Sequence, residues 1–214
     1  ESKKWNDYSE QELIKILIDK LSKAVERRLI SDVPLGVFLS GGIDSSIITA
    51  LMADIVPASR IKTFSIGFNE NSFDESNYAK TVADRFGTEH HQKILSSKDM
   101  PDIIPTITNL LDEPYADASI IPTYLLPAFT KEHVTVALGG DGGDEIFAGY
   151  DPFLADFWAN QYTKIPPFIN KHFIKTIVDR LPVSDSNMSL DFKAKRFLKY
   201  VYDNPVDRNQ LWLG

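Results

Sequence analysis

The stretch Val33-Pro34-Leu35-Gly36-Val37-Phe38-Leu39-Ser40-Gly41-Gly42-Ile43-Asp44-Ser45-Ser46-Ile47 decides how this chain folds. Its first seven residues are an apolar run without polar alternation, the pattern of a strand buried on both faces of a parallel sheet. Ser40, Gly41 and Gly42 punctuate the run, and from Ile47 apolar residues recur at helical spacing as far as residue 55. The stretch reads as strand, glycine turn, helix.

Working outward, the unit recurs in outline. Ile61-Lys62-Thr63-Phe64-Ser65-Ile66-Gly67-Phe68 reads as a second strand, followed by a helix over 75–86 that ends at Gly87. Residues 89–95 read as a third strand, with a helix within 100–111. A helix over 118–132, despite Pro122 and Pro127, leads into a fourth strand over 133–138. Upstream, Ser9-Glu10-Gln11-Glu12 is a capping-box pattern, and Leu13, Ile14, Leu17, Ile18, Leu21, Ala24 and Val25 follow at helical spacing, which predicts a helix over 10–29. Strands alternating with helices imply an open, mostly parallel, Rossmann-like α/β sheet with flanking helices.

Beyond Tyr150 only helical patterns occur, notably over 168–181 and 189–202, and Phe192, Phe197, Tyr200 and Trp212 are the expected core there. The charge balance shifts at the same place. Residues 1–150 carry 14 basic and 23 acidic side chains, against 9 and 7 in residues 151–214. The expected division is an α/β domain over 1–150 and the start of an all-helical subdomain over 151–214. With no initiator Met, and a stop within Leu211-Trp212-Leu213-Gly214, both ends read as cut from something longer.

Composition removes several classes of function. A chain of 214 residues with 43% hydrophobic content can bury a core, and none of its apolar runs is long enough to cross a bilayer. A net charge of −7 argues against nucleic acid as the main ligand. The absence of cysteine removes disulfides, thiolate zinc sites and cysteine nucleophiles, and fits a reducing, cytoplasmic setting.

In such a sheet, ligands bind beyond the carboxyl ends of the strands. Two glycine-rich, acid-bearing segments fall there: residues 40–46, and Gly139-Gly140-Asp141-Gly142-Gly143-Asp144-Glu145. In the first, Gly41 and Gly42 let backbone N–H groups turn inward, the following helix presents its positive end, and Ser40, Ser45 and Ser46 add hydroxyl donors. A lone carboxylate, Asp44, would repel phosphate there unless a cation bridged the two, which argues for Mg²⁺. No Gly-Lys-Ser/Thr loop and no GxGxxG fingerprint is present. Blander readings stand beside these. Residues 40–46 could be only a tight turn with Asp44 stabilising the helix dipole, and 141–145 only an acidic loop. Asp112, Glu113 and Asp117 could be helix caps, and His90-His91 read as strand and surface residues.

The full string Ser40-Gly41-Gly42-Ile43-Asp44-Ser45-Ser46 resembles the pyrophosphate loop of the ATP pyrophosphatase families, which split ATP between its α and β phosphates. The segment from Leu138 through Gly139-Gly140-Asp141-Gly142-Gly143-Asp144-Glu145-Ile146-Phe147-Ala148-Gly149-Tyr150 closely resembles the corresponding motif of asparagine synthetases. Asp112-Glu113-Pro114-Tyr115-Ala116-Asp117-Ala118-Ser119, with Pro122 and Tyr124, and Phe64-Ser65-Ile66-Gly67-Phe68 are further matches. The resemblance implies an adenine nucleotide α-hydrolase-like fold, with adenine contacts from the backbone around Leu39, Ile66, Gly139 and Gly140. Pyrophosphate would lie on Ser40, Gly41, Gly42, Asp44, Ser45 and Ser46. Asp44 and Asp144 match the two carboxylates that hold Mg²⁺, and Asp117 and Ser119 fall on the substrate side. Asp141 stands where the family often has a Glu near the acyl-adenylate.

The implied activity is ATP-dependent amide formation. A carboxylate, in the first instance aspartate, is activated as an acyl-adenylate with release of pyrophosphate, and ammonia then displaces AMP. Relatives that form β-lactams or amidate sugar carboxylates supply an alternative, and a nucleotide-binding module without catalysis supplies another. ATP and Mg²⁺ are the implied cofactors. Glutamine could supply the ammonia only through a glutaminase domain upstream, since the nucleophilic Cys of that domain is not in this chain. Neither nucleic acid nor membrane is an expected partner, and a homo-oligomer is compatible with the reading. The family's carboxyl-terminal motif, rich in Arg, Met, Glu and Pro, is missing, so residues 1–214 alone are expected to bind nucleotide weakly and to turn over little substrate.

Overall fold

The computed structural model describes residues 5–70, 72, 74–96, 98, 100–114, 117, 119–184 and 188–213. They form two compact units, Glu1–Asp141 and Gly142–Gly214. The first unit is a four-stranded parallel sheet made of β1 (Leu35–Phe38), β2 (Lys62–Phe68), β3 (Glu89–Leu95) and β4 (Val136–Leu138), in the order β3-β2-β1-β4. Its helices are α1 (Glu10–Arg28), α2 (Ile43–Ile55), α3 (Ser76–Phe86), α4 (Met100–Thr108) and α5 (Ile120–Thr130). The α/β class read from the alternation of patterns is the class observed.

Both faces of the sheet are covered. Val37 is fully buried against Val25 of α1 and Leu51 and Met52 of α2, while Leu39 packs on Ala79 and Ala83 of α3. Successive strand residues point to opposite faces, and Phe64 meets α5 on the other one. Its ring stacks on His91 at 5.2 Å between centroids and meets Phe129 edge-on at 6.0 Å. The chain therefore adds β2 and β3 outward from β1 on one side, then returns by way of α5 to lay β4 on the other side of β1. The reversal makes the β1/β4 junction the switch point of the sheet.

The middle of β2 is polar as well as buried. Thr63 and Ser65 are shielded from solvent, and both meet the half-buried His90 of β3: Thr63 Oγ1 lies 2.9 Å from Nδ1 and Ser65 Oγ 3.3 Å from Nε2. Hydroxyls inside a sheet need such partners. Burial, with Lys80 and His91 adding to it, pushes the His90 ring below the ordinary histidine range against the opposing pull of Asp84. His91 is only partly exposed: its ring clusters with those of Phe64 and His133, and its Nε2 lies 2.8 Å from the exposed Glu89 carboxylate.

Ser9 and Glu12 form the expected capping box, with Glu12 N–H donating to Ser9 Oγ at 3.3 Å and Ser9 N–H donating to Glu12 Oε2 at 2.8 Å. At the other end of the unit β4 is shorter than expected. The Thr130 carbonyl accepts the N–H groups of both His133 and Val134, so these residues close α5 instead of opening the strand. Ala118, the expected start of that helix, lies outside the described residues, and α5 begins at Ile120.

The second unit is helical, as expected. It comprises α6 (Gly143–Phe147), α7 (Asp151–Tyr162), α8 (Pro167–Ile169), α9 (Lys175–Asp179), α10 (Leu190–Tyr200) and α11 (Pro205–Leu213). Between α8 and α9, Asn170–Ile174 winds as a π-helix, with Lys175 N–H donating to the Asn170 carbonyl. Ala159, Val201 and Trp212 form its core, and Phe197 stacks on Trp212 at 5.6 Å. Phe192, expected in the core, is 44% exposed beneath the Arg196 guanidinium. A cavity of about 430 Å³ is lined by Trp158, Ile174, Phe192, Phe197 and Trp212 among others, and none of its lining residues belongs to the two glycine segments. No helix among the described residues is long and apolar enough to cross a membrane.

Candidate nucleotide site

Leu39 carries β1 past its last paired residue, since its N–H still donates to the Phe64 carbonyl at 2.8 Å. Gly41 follows with φ of +88°, and a Cβ on it would come within 2.5 Å of the backbone of Tyr78 and Ala79. Only glycine satisfies both the dihedral and the contact. The turn thus rests on α3. Ser40 Oγ accepts the Gly42 N–H at 3.2 Å and lies 3.1 Å from Ser45 Oγ, which closes the loop on itself.

Gly42 is the N-cap of α2 and has no side chain with which to satisfy the N–H groups of the first turn. Those groups remain available to an anion, next to the positive end of a 13-residue helix. Ser40 is exposed beside them, and Asp44 stands partly exposed in the same turn. Ser46 Oγ is buried with no hydrogen-bond partner among the described residues. An unpaired hydroxyl beside a bare helix start suits a phosphate group, and a nearby carboxylate suits a cation bound with it. Among the described residues no group of three or more His, Asp or Glu side chains is arranged to hold a metal. Mg²⁺ on a nucleotide needs fewer, because phosphates and waters fill its remaining positions.

The second segment meets the first. A Cβ on Gly140 would lie 2.7 Å from the Ser45 backbone nitrogen and 2.9 Å from both the Asp44 carbonyl carbon and its Cβ. The end of β4 is therefore pressed against the first turn of α2. The Asp141 carboxylate folds back onto Gly139, where a Cβ would overlap Oδ2. Ile66 lies in β2 opposite Lys93 of β3. Asp144 stands in the first turn of α6 and belongs to the second unit.

Asp117 and Ser119 engage each other at the head of α5, with Ser119 N–H donating to Asp117 Oδ1 at 2.8 Å. Neither forms a hydrogen bond to residues 40–46 or 139–141 among the described residues. Tyr115 and Ala116, within the same stretch, lie outside the described residues.

Sequence reasoning missed Asp74. Its carboxylate accepts the N–H groups of Phe68 at 3.2 Å and Ser76 at 3.1 Å and the Ser76 hydroxyl at 2.9 Å, tying the end of β2 to the start of α3. Burial opposes its charge, but the Ser76 hydroxyl and the two backbone donors hold the carboxyl below its ordinary range. An Asp two positions before a helix-starting Ser was the available signal. Asp74 braces α3, and α3 supports the Gly41 turn.

A parallel sheet with a glycine-turned, serine-lined loop at its switch point defines a nucleotide-binding α/β fold. The chain belongs to the asparagine synthase family, whose model matches residues 17–208. It is 39% identical over 176 residues to a putative glutamine-hydrolyzing asparagine synthetase 2 of Methanocaldococcus jannaschii, a match covering 82% of this chain and 33% of that protein. It is 38% identical over 162 residues to glutamine-hydrolyzing asparagine synthetase 1 of Bacillus subtilis, covering 76% of this chain and 25% of that protein. The chain thus spans about a third or less of the length of these relatives. The solved structure of NMN synthetase from Francisella tularensis is similar with a TM-score of 0.47 at 15% identity, over 96% of this chain and 93% of that one.

Proposed function

We propose that residues 1–150 are the ATP-activating domain of an amide-forming ligase, that residues 151–214 begin a helical subdomain, and that the acceptor is a small carboxylate, aspartate in the first instance. The observation that carries this reading is the packing of Gly140 on the first turn of α2, which joins the two glycine segments in a chain of the asparagine synthase family. A substrate carboxylate oxygen attacks the α-phosphorus of ATP, and the bond to the bridging oxygen breaks as pyrophosphate leaves with its electron pair. Ammonia then attacks the acyl carbon, loses a proton, and AMP departs.

Leaving pyrophosphate gathers negative charge, and residues 40–46 would meet it with backbone N–H groups and the Ser40, Ser45 and Ser46 hydroxyls. The adenine is read by backbone groups of Leu39, Ile66, Gly139 and Gly140. With the Leu39 N–H committed to Phe64, Leu39 has its carbonyl to offer. Asp44 and Asp144 would hold Mg²⁺, which when bound neutralises phosphate charge. Asp141 is assigned the proton lost by ammonia, and Asp117 and Ser119 the acceptor side. The two relatives are named as glutamine-hydrolyzing, so we take the ammonia to come from glutamine through a glutaminase whose Cys is not among these 214 residues.

Titration with Mg·ATP, Mg·AMP and Mg·GTP, comparing the parent with Asp44→Asn, tests the site. Adenine nucleotides should bind in preference to GTP, and Asp44→Asn should abolish the tightening that Mg²⁺ gives. Equal affinity for all three, unmoved by the substitution, rules the site out. Pyrophosphate exchange into ATP that depends on aspartate, and on no other acid in a panel, fixes the acceptor.

A further inference from the structure

The acidic loop carries a device for aiming one of its carboxylates. α6 ends at Ala148, which adopts the left-handed conformation (φ 57°, ψ 42°) that folds the chain back over its own first turn. The fold-back is pinned by backbone, with Gly149 N–H donating to the Asp144 carbonyl at 3.0 Å. It brings the Gly149 Cα against the Asp144 side chain. A Cβ on Gly149 would overlap Asp144 Oδ1 and lie 3.0 Å from its Cγ, whereas the nearest backbone atom, Asp144 Cα, would stay 3.3 Å away. Gly149 has no positive φ that would itself demand glycine. The space it leaves is filled by the carboxylate.

We propose that Gly149 is a positioning residue, whose missing side chain fixes the direction in which the Asp144 carboxylate points. The proposal rests on the reading that Asp144 is a Mg²⁺ ligand. A methyl at 149 overlaps the free end of Asp144 and only crowds its Cα, at 3.3 Å, so the carboxylate must swing while the turn has to give by no more than a few tenths of an ångström. Ligands depend on such supporting contacts, because a carboxylate aimed wrongly must give up packing or rotamer energy to reach its ion.

Mn²⁺, which replaces Mg²⁺ and is read directly by electron paramagnetic resonance, tests this in the presence of ATP. The parent, Gly149→Ala, Asp144→Asn and the double variant are titrated, together with ATP binding without divalent ion and the thermal midpoint. Gly149→Ala should raise the half-saturating Mn²⁺ by about tenfold or more, in the range expected for a lost supporting contact, while metal-free ATP binding stays within about twofold. The double variant should bind Mn²⁺ no more weakly than Asp144→Asn, since both changes act through one carboxylate. Unchanged Mn²⁺ binding in Gly149→Ala beside weakened binding in Asp144→Asn overturns the proposal. So does a Gly149→Ala protein that fails to fold or loses metal-free ATP binding equally, because the backbone and not the carboxylate would then have moved. Unchanged Mn²⁺ binding in Asp144→Asn overturns the metal reading itself, and the proposal with it.

Discussion

Gly140 and Gly149 are both small for want of space, but what occupies the space differs, and so do the expected consequences. At 149 a methyl group meets a carboxylate that can turn away; at 140 it meets the backbone of Asp44 and Ser45, which is held in α2. Gly140→Ala should therefore displace the first turn of α2, destabilising the first unit by about 1–3 kcal/mol, as overpacking does. It should also weaken ATP binding even without divalent ion, and an isotherm with unchanged metal-free affinity would show that the two segments do not share a ligand. The residue identities of this site were legible in the sequence because Ser40, Gly41, Gly42, Asp44 and Asp144 stand in contiguous strings whose chemistry is local. What those residues lean on was not legible. The support of Gly41 by Tyr78 and Ala79 joins positions far apart in the sequence, and such a contact leaves no pattern along the chain, whereas the bracing of α3 by Asp74 is local and its signal was overlooked.

Elements were legible to the extent that their ends are decided locally. The capping box of α1 and the left-handed Gly87 after α3 are short-range devices, and both occur where the sequence places them. β4 was misread at its start because Val134 is as apolar as a strand residue, and only its hydrogen bond to the Thr130 carbonyl ties it to the turn that follows α5. α11 illustrates an element held by tertiary contacts that no periodicity announces. Arg208 is 2% exposed, forms an ion pair with Asp156 of α7, and donates to the Val201 carbonyl at 3.1 Å. Removing Asp156 strands a buried guanidinium, whereas keeping the pair offsets its desolvation. Asp156→Ala should destabilise the helical unit by about 3 kcal/mol, measured by urea unfolding followed through Trp158 and Trp212. A loss below about 1 kcal/mol would mean that Arg208 finds water or another acceptor.

At the scale of the whole molecule, the order β3-β2-β1-β4 sets where a ligand can sit, and the same order lays a titratable histidine of β3 against buried hydroxyls of β2. The alternation of patterns implied an open parallel sheet, but it could not give the strand order, which depends on the chain changing faces between β3 and β4. Because β3 is laid beside β2, His90 is brought against Thr63 and Ser65. Its folded pKa is lowered, by burial first, then by Lys80 and His91, with Asp84 of α3 opposing. The unfolded chain therefore takes up a proton near the ordinary histidine value, about 6.5, while the native sheet still refuses it. The stability contributed by neutral His90 is complete above that pH and is lost as the pH falls towards the folded value. Asp74, also lowered, adds its loss only in the carboxylate range. Since the chain forms two units, a single unfolding midpoint would mix them. Amide exchange at Phe64 and Ser65 reports on the sheet alone. In the parent, protection of these amides, corrected for the intrinsic exchange rate, should hold above about pH 6.5 and fall from there to about pH 5.5. In His90→Gln, which keeps a hydrogen-bonding side chain but cannot titrate, it should stay level over that interval. Parallel declines in the two proteins would assign the acid sensitivity of the sheet to other groups.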